Sequence, residues 1–322
     1  MGKGISRREM LVKTGSVVGV GVAAASGESA EAGSVARKSK NEPFRYCLNT
    51  STLRGHKLPL VKELEIASKA GYSGVEPWIG EIEEYLKGGG TLKDLGKRIK
   101  DLGLTVESGI GFAEWIVDDD TRRAKGLEQA KHDMDLIAQI GGKRIAAPPA
   151  GATDQPNLSL LAAAQRFRAL CELGDRMGIS PMVEVWGFSQ LLNRLGQAAF
   201  VAIESGHPNA CILADVYHLY RGGSDYGGIR LLGKNAMHVL HVNDFPASPA
   251  REKLTDAHRV YPGDGVAPLD TIYRDLHKIG FRGALSLELF NRDYYKQDPL
   301  EVARTGIQKT RESVQRALER TT

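Results

Sequence analysis

The sequence is short of every feature that marks a stapled, nucleotide-binding or surface-adhering chain. It has three cysteines in 322 residues, Cys47, Cys171 and Cys211, with no CxxC or CxH spacing, so a disulfide framework and a thiolate zinc site are both excluded. Aromatic residues make up only 7%, but 42% hydrophobic and 25% charged residues are the proportions of an ordinary globular protein, and intrinsic disorder does not fit. Charge of one sign is also missing: 43 basic against 39 acidic residues leave a formal +4. Binding to a nucleic acid or an anionic surface needs clustered Lys and Arg side chains, and neither partner is expected. No GxGxxG or GxxxxGK[ST] follows the first β-rich run, which removes the dinucleotide-binding and P-loop readings.

The composition changes at the N-terminus. Lys3, Arg7, Arg8 and Lys13 precede a mildly apolar stretch, SVVGVGVAAAS, and then Ala30-Glu31-Ala32 forms a small-x-small cleavage site. That order is an export signal. Ser6-Arg7-Arg8-Glu9-Met10-Leu11 resembles the twin-arginine motif, which implies the twin-arginine export machinery as a partner and a periplasmic or other extracytoplasmic location. The apolar stretch is too short for a permanent membrane span. The expected division is a signal over residues 1–32, a polar linker over 33–43 and one domain over 44–322.

From Phe44 onward one pattern recurs: a helical stretch, a glycine, a short turn, then a short β-rich run. Gly71, Gly103, Gly141, Gly178, Gly206, Gly233 and Gly280 stand where a helix ends and the backbone turns left-handed. The runs SGVEPW, LTVESGI, KRIAAPP, SPMVEVW, CILADVY, MHVLHVN and ALSLELF follow them, and FRYCLNT at the start makes eight. Amphipathic segments such as LVKELEIASKAG lie between. Strands apolar on both sides and separated by helices belong in a parallel sheet covered on both faces, and eight such units predict an α/β fold of the (β/α)8 TIM-barrel type, with its active site at the C-terminal strand ends.

Polar residues collect at those ends. Glu184 closes the fifth run and Asp215 the sixth, while His241 lies in the seventh and Glu288 in the eighth. Each interrupts an apolar run, where an ionised group is costly unless it is paired or bound to a cation. A lone acid at a strand end is commonly a helix N-cap, but four such groups on successive strands would repel one another without a counter-ion. One divalent ion resolves this, and an oxygen-rich set with one nitrogen suits Mn, Mg, Zn or Co. Trp78, Trp115 and Trp186 follow strand ends and could stack on a sugar ring or pack as rim plugs; Glu76 and Glu107 could bind sugar hydroxyls.

Glu184, Asp215-Val-Tyr-His218, His241-Val-Asn-Asp244, Arg259-Val-Tyr-Pro-Gly-Asp-Gly265 and Ser-Leu-Glu288-Leu-Phe together resemble the sugar phosphate isomerase/epimerase family of xylose isomerase-like barrels, over essentially all of residues 44–320. The last third is most similar to the inosose (2-keto-myo-inositol) isomerases. The resemblance implies a metal held by Glu184, Asp215, His241 and Glu288, with Glu184 and Glu288 also serving as the acid/base pair that moves a proton beside a carbonyl. It further implies that His218 acts catalytically and that Arg259 contacts substrate oxygens, with Trp186, Trp78 and Glu76 around a small polyhydroxylated carbonyl substrate. Isomerisation or epimerisation is the expected reaction. A lyase of the same barrel, dehydrating a keto-sugar or cleaving a 3-keto-glycoside, is the alternative, because the same proton abstraction gives elimination when a leaving group is adjacent.

Two other functions fit less well. The apurinic endonucleases of the superfamily share much of this set, and Asp256-Ala-His258 resembles their second metal-binding pair. The early strand ends, however, offer Thr50, Glu76 and Glu107 in place of the further histidines of a three-zinc cluster, and no basic stripe is present. A sugar-binding barrel without catalysis would have no need of both glutamates.

Overall fold

The computed structural model describes residues 42–155 and 158–319. The expected export segment and most of the linker lie outside the described residues. Eight strands run through the rest: β1 (Arg45–Asn49), β2 (Gly74–Glu76), β3 (Thr105–Val106), β4 (Arg144–Ala147), β5 (Ser180–Glu184), β6 (Cys211–Asp215), β7 (Met237–Val242) and β8 (Ala284–Leu287). Helix α1 (Leu60–Ala70) follows β1, and α2 (Ile79–Lys87) and α3 (Leu92–Asp101) follow β2. After β3 to β8 come α4 (Asp120–Gln139), α5 (Leu160–Met177), α6 (Leu195–Glu204), α7 (Val216–Gly222), α8 (Leu269–Lys278) and α9 (Pro299–Glu319), one each.

The helices form where the sequence supplies an apolar stripe and an end signal. In α8, Leu269, Ile272, Tyr273 and Leu276 are buried at spacings of three and four, so one face meets the sheet. Thr91 and Ser159 cap α3 and α5 by accepting the N–H groups of Asp94 and Ala162. Six of the seven expected turn glycines do adopt positive φ; Gly233 does not. It follows a 3₁₀ segment, Tyr226–Leu231, because α7 stops early at Gly223, whose φ is 79°.

All strand pairings are parallel, in the order β3-β2-β1-β8-β7-β6-β5-β4. The barrel closes between β3 and β4 through a bridge from Gly109 to Ile145, with the Gly109 N–H donating to the Arg144 carbonyl at 3.0 Å and Ala146 N–H to Gly109 at 2.9 Å. Closure needs a glycine there. A Cβ on Gly109 would lie 2.6 Å from Ile137 Cγ1 of α4.

Side chains alternate, and the alternation sorts the chain into two cores. Ile212 and Ala214 of β6 face the helices within the large outer cluster, whereas Cys211 and Leu213 join Cys47, Met182, Val239 and Ala284 inside the barrel. All three cysteines are buried and free, which is why so few are tolerated without pairing. Continuing the same parity upward carries Asn49, Glu76, Asp215, His241, Ser286 and Glu288 onto the inner face at the C-terminal end. Asp215 stands in register with His241, and His241 with Ser286. No helix among the described residues is long and apolar enough to cross a membrane.

Candidate active site

Three ligand atoms meet at the C-terminal mouth. Asp215, His241 and Glu288 each offer one within 4.8 Å of the others, and all three residues are buried. Glu76 orders the imidazole: His241 Nε2 lies 3.1 Å from Glu76 Oε2, which also accepts from Ser286 Oγ. With Nε2–H directed at Glu76, Nδ1 turns to Glu288 Oε2 at 3.1 Å and Asp215 Oδ2 at 3.8 Å, yet no aligned hydrogen bond satisfies it. A buried imidazole nitrogen left facing two carboxylates is the arrangement of a metal-ligating histidine with its outer carboxylate in place. The residues therefore fit a divalent ion.

Two asparagines complete the ring. Asn49 Nδ2 donates to Glu288 Oε1 at 3.1 Å while its Oδ1 accepts from Trp78 Nε1 at 2.9 Å. Asn243 Nδ2 donates to Asp215 Oδ2 at 3.1 Å, and its Oδ1 accepts the Tyr217 N–H. Both fix a carboxylate from outside.

Arg259 is the second organiser. Its guanidinium is 1% exposed, and Nη1 donates to Asp215 Oδ2 and Glu288 Oε2 at 2.8 Å each. Nη2 donates to Asp256 Oδ1 at 2.5 Å and to His218 Nε2 at 3.1 Å. A guanidinium can only donate, so His218 Nε2 accepts from Arg259, and the Gly187 N–H faces the other ring nitrogen, Nδ1, at 3.3 Å. Burial, helped by Arg259, pushes the His218 pKa down to about 4, so the ring is neutral.

The titratable groups separate. Burial raises Glu184 to about 8, against the pull of His241 and with the push of Glu288. Burial also opposes ionisation of Glu288 and Glu76, but His241 outweighs it and lowers both. For His241 burial works against the charge, and Glu288 and Glu76 carry its pKa well above the usual imidazole value. Four carboxylates, Glu76, Asp215, Asp256 and Glu288, thus face two cations, His241 and Arg259, in the metal-free cluster, leaving it about two positive charges short of balance.

Above the cluster lies a cavity of about 190 Å³, lined by Glu184, His218, Arg259, Glu288 and an aromatic rim. Ring centroids run from Trp78 to Phe112 (5.1 Å), Phe112 to Trp186 (6.0 Å) and Trp186 to Phe188 (5.2 Å), with Phe290 6.2 Å from Trp78. Phe112 and Phe188 remain 43% and 49% exposed, unusual for phenylalanine unless it contacts a ligand.

A family model described as xylose isomerase-like TIM barrel matches residues 64–313. The chain belongs to that family. Among relatives, an inosose isomerase from Bacillus licheniformis is 28% identical over 284 residues, covering 84% of this chain and 98% of that protein. A 3-dehydroshikimate dehydratase from Pseudomonas aeruginosa is 25% identical over 265 residues, 80% of this chain but 41% of that protein. In structure, the IolI protein solved with a bound zinc atom superposes with a TM-score of 0.79 at 24% identity, over 85% of this chain and 99% of that one. Related family members carry isomerase, epimerase and dehydratase activities, and this chain is an enzyme of the same family.

Within this family frame, several expected residues take other places. Of the four expected metal ligands, Glu184 does not reach the other three: it stands in register with Leu213, two residues short of Asp215, and lines the cavity instead. Glu76 is 0% exposed beneath His241 and cannot bind a sugar hydroxyl; it positions the imidazole. Glu107 turns toward the other end of the barrel, where Arg45 donates to both its oxygens at 2.7 and 2.8 Å. Trp115 is 1% exposed, packs on Phe167 and donates to the Pro148 carbonyl, leaving Trp78 and Trp186 as the indoles at the mouth. Asp256 is engaged by Arg259, and the His258 ring turns back to Thr255, so they form no second metal pair. Asn49, Asn243 and Ser286 were missed; they sit in the same alternating runs as the ligands, and inward parity was the available signal. Phe290 continues the inward parity of Ser286 and Glu288, whereas Phe112 and Phe188 come from loops, where no periodicity marks them.

Proposed function

We propose that the protein is a divalent-metal-dependent isomerase or epimerase of an unphosphorylated keto-sugar or inosose. The observation that carries this is the pair of buried glutamates at one cavity with pKa values driven apart, Glu184 up to about 8 and Glu288 down. Such a split assigns a proton donor and a proton acceptor at neutral pH. Bound to Asp215, His241 and Glu288, a Mn, Mg, Zn or Co ion would supply Lewis-acid polarisation of the substrate carbonyl and neighbouring hydroxyl, acidifying the C–H between them.

Glu288, held ionised, accepts that proton, and Glu184 returns one to the same or the adjacent carbon. Neutral His218 fixes Arg259, whose guanidinium is placed for developing negative charge on substrate oxygen. The aromatic rim offers stacking faces for a sugar ring and keeps water from the reacting carbon. Absence of phosphate from the substrate is supported by the cavity lining, in which Arg259 is the cation and is already shared among three carboxylates.

The test is proton NMR in deuterated water with keto-sugars, inososes and 3-keto-glycosides. Wild type is expected to exchange a C–H proton beside the carbonyl and form product, Glu288→Gln to abolish exchange, and Glu184→Gln to abolish product formation; retained exchange in the first or retained turnover in the second overturns that residue's role. The dehydratase among the relatives favours a second reading, elimination, which the same spectra report as loss of the leaving group. We also infer twin-arginine export, supported by Arg7-Arg8 ahead of the apolar stretch; continued export after replacing both with lysine overturns that route.

A further inference from the structure

At about 190 Å³ the catalytic cavity is smaller than the several hundred Å³ usual for a small-molecule site. A second cavity of about 580 Å³ adjoins it, and Trp78 and Phe112 line both. The second cavity is walled by side chains that the catalytic chemistry does not use. Arg54 and Lys57 come from the turn after β1, Glu63 from α1, and Glu81 and Glu84 from α2.

Glu63 is the informative member. It is 2% exposed, lines this cavity, and its Oε2 has no hydrogen-bond partner. Its neighbour Glu81 is spoken for: Oε2 accepts from Thr50 Oγ1 at 2.6 Å and from the Trp78 N–H at 3.1 Å. Burial and then Glu81 raise the Glu63 pKa to about 9, so this carboxyl is protonated at neutral pH, and burial raises Glu81 as well. The Arg54 guanidinium lies 3.6 Å over the Trp78 ring. With Glu63 neutral, Arg54 and Lys57 are matched in number by Glu81 and Glu84, and the cavity carries no net formal charge.

A phosphate or an ammonium group would require a surplus of the opposite sign. What the wall offers instead is a mixture of hydrogen-bond donors and acceptors with one buried oxygen unsatisfied, the complement of a neutral, hydroxyl-rich ring. Any ligand that fills the catalytic cavity and grows outward past Trp78 and Phe112 enters this space. A third cavity of about 570 Å³ continues from Lys57, Glu81 and Glu84 toward Gly88–Gly90, so the second ring need not be the last.

We propose that the two cavities form one substrate site, with the keto ring at Glu184 and Glu288 and a second, neutral sugar ring joined to it by a glycosidic bond in the cavity of Arg54, Glu63, Glu81 and Glu84. The proposed reaction is assumed for the first ring only; the second-ring site stands on its own geometry.

The test uses metal-loaded full-length protein and glucose, cellobiose, maltose and trehalose as probes, read by calorimetry and saturation-transfer NMR. At least one disaccharide is expected to bind about tenfold more tightly than glucose with both rings saturated. Arg54→Ala and Glu84→Ala, exposed positions, are expected to remove most of that difference and leave glucose within about twofold. Equal affinity for all four probes, or a disaccharide preference untouched by both substitutions, overturns the site. A parallel exchange assay compares methyl 3-ketoglucoside with 3-keto-cellobiose. No exchange with either, alongside intact second-ring binding, overturns the reaction and leaves the site; equal kcat/KM for both, unmoved by the substitutions, does the reverse.

Discussion

Replacing Glu63 with Gln should make the protein more stable, and only above the acid range. In the folded chain the carboxyl is 2% exposed with one oxygen unpartnered, and its pKa rises from 4.5 to about 9, chiefly through burial. A raised carboxyl pKa means the folded state favours the protonated form. The associated stability is complete below pH 4.5 and drains away as pH climbs toward 9. Each unit is worth 1.36 kcal/mol, so by pH 7 the wild type has lost roughly 3 kcal/mol that a neutral amide of the same shape keeps. For a chain of this size that is about 6 °C in Tm. Thermal unfolding of both proteins across pH 5 to 8.5 at fixed metal concentration measures it. Curves that converge toward pH 5 and separate with Glu63→Gln uppermost are expected. A constant offset, or wild type the more stable at pH 8, refutes the buried neutral carboxyl.

The site itself makes three further demands. Glu76→Gln should weaken metal binding about 10- to 100-fold, because the imidazole loses the carboxylate that orients it; undiminished metal content after dialysis rules this out. Arg259→Gln strips the counter-ion from Asp215 and Glu288 and should cost the metal-free protein about 3 to 5 kcal/mol, with added metal restoring much of the lost Tm; a loss that metal leaves untouched counts against the charge balance. Asp244→Ala should lower stability by at least about 2 kcal/mol, since its carboxylate accepts the N–H groups of Phe245, Gly263, Gly265 and Ala267, and an unchanged Tm would show that this loop needs no such anchor.

The barrel was legible because its determinants repeat. Two-residue alternation, helical spacing and turn glycines recur along the chain, and one misassigned turn at Gly233 leaves the count unchanged. The same alternation put Asp215, His241 and Glu288 on a common face, and register then brought them together. What the sequence could not convey is how far up the barrel each strand end stands. Glu76 and Glu107 both close short runs before a turn, yet one supports an imidazole at the mouth and the other pairs with Arg45 at the opposite end. That difference is set by the stagger of strands around a closed sheet, which no single strand encodes. The PGDG string was recognisable but unexplained. Its two glycines have different reasons: Gly263 takes a φ of 93°, and at Gly265 a Cβ would run into the Asp244 carboxylate and the Phe245 carbonyl.

Charge separates the two cavities into different chemistries although they share a wall. At the strand ends His241 and Arg259 leave four carboxylates undercompensated, a deficit that hydroxyl groups cannot make good and a divalent cation can. In the adjoining cavity, on the other side of Trp78 and Phe112, Arg54 and Lys57 are matched by Glu81 and Glu84 with Glu63 protonated, and there a cation or an anion gains nothing over a neutral polyol. The glutamates differ in what surrounds them. Glu76 and Glu288, paired directly with His241, are kept ionised, whereas Glu63, beside Glu81 and with no hydrogen-bond donor to its Oε2, is kept neutral. If Glu63 proved ionised, its cavity would carry a surplus negative charge and would favour an ammonium-bearing ligand, so the pH dependence of Glu63→Gln bears directly on the kind of molecule that the outer cavity accepts.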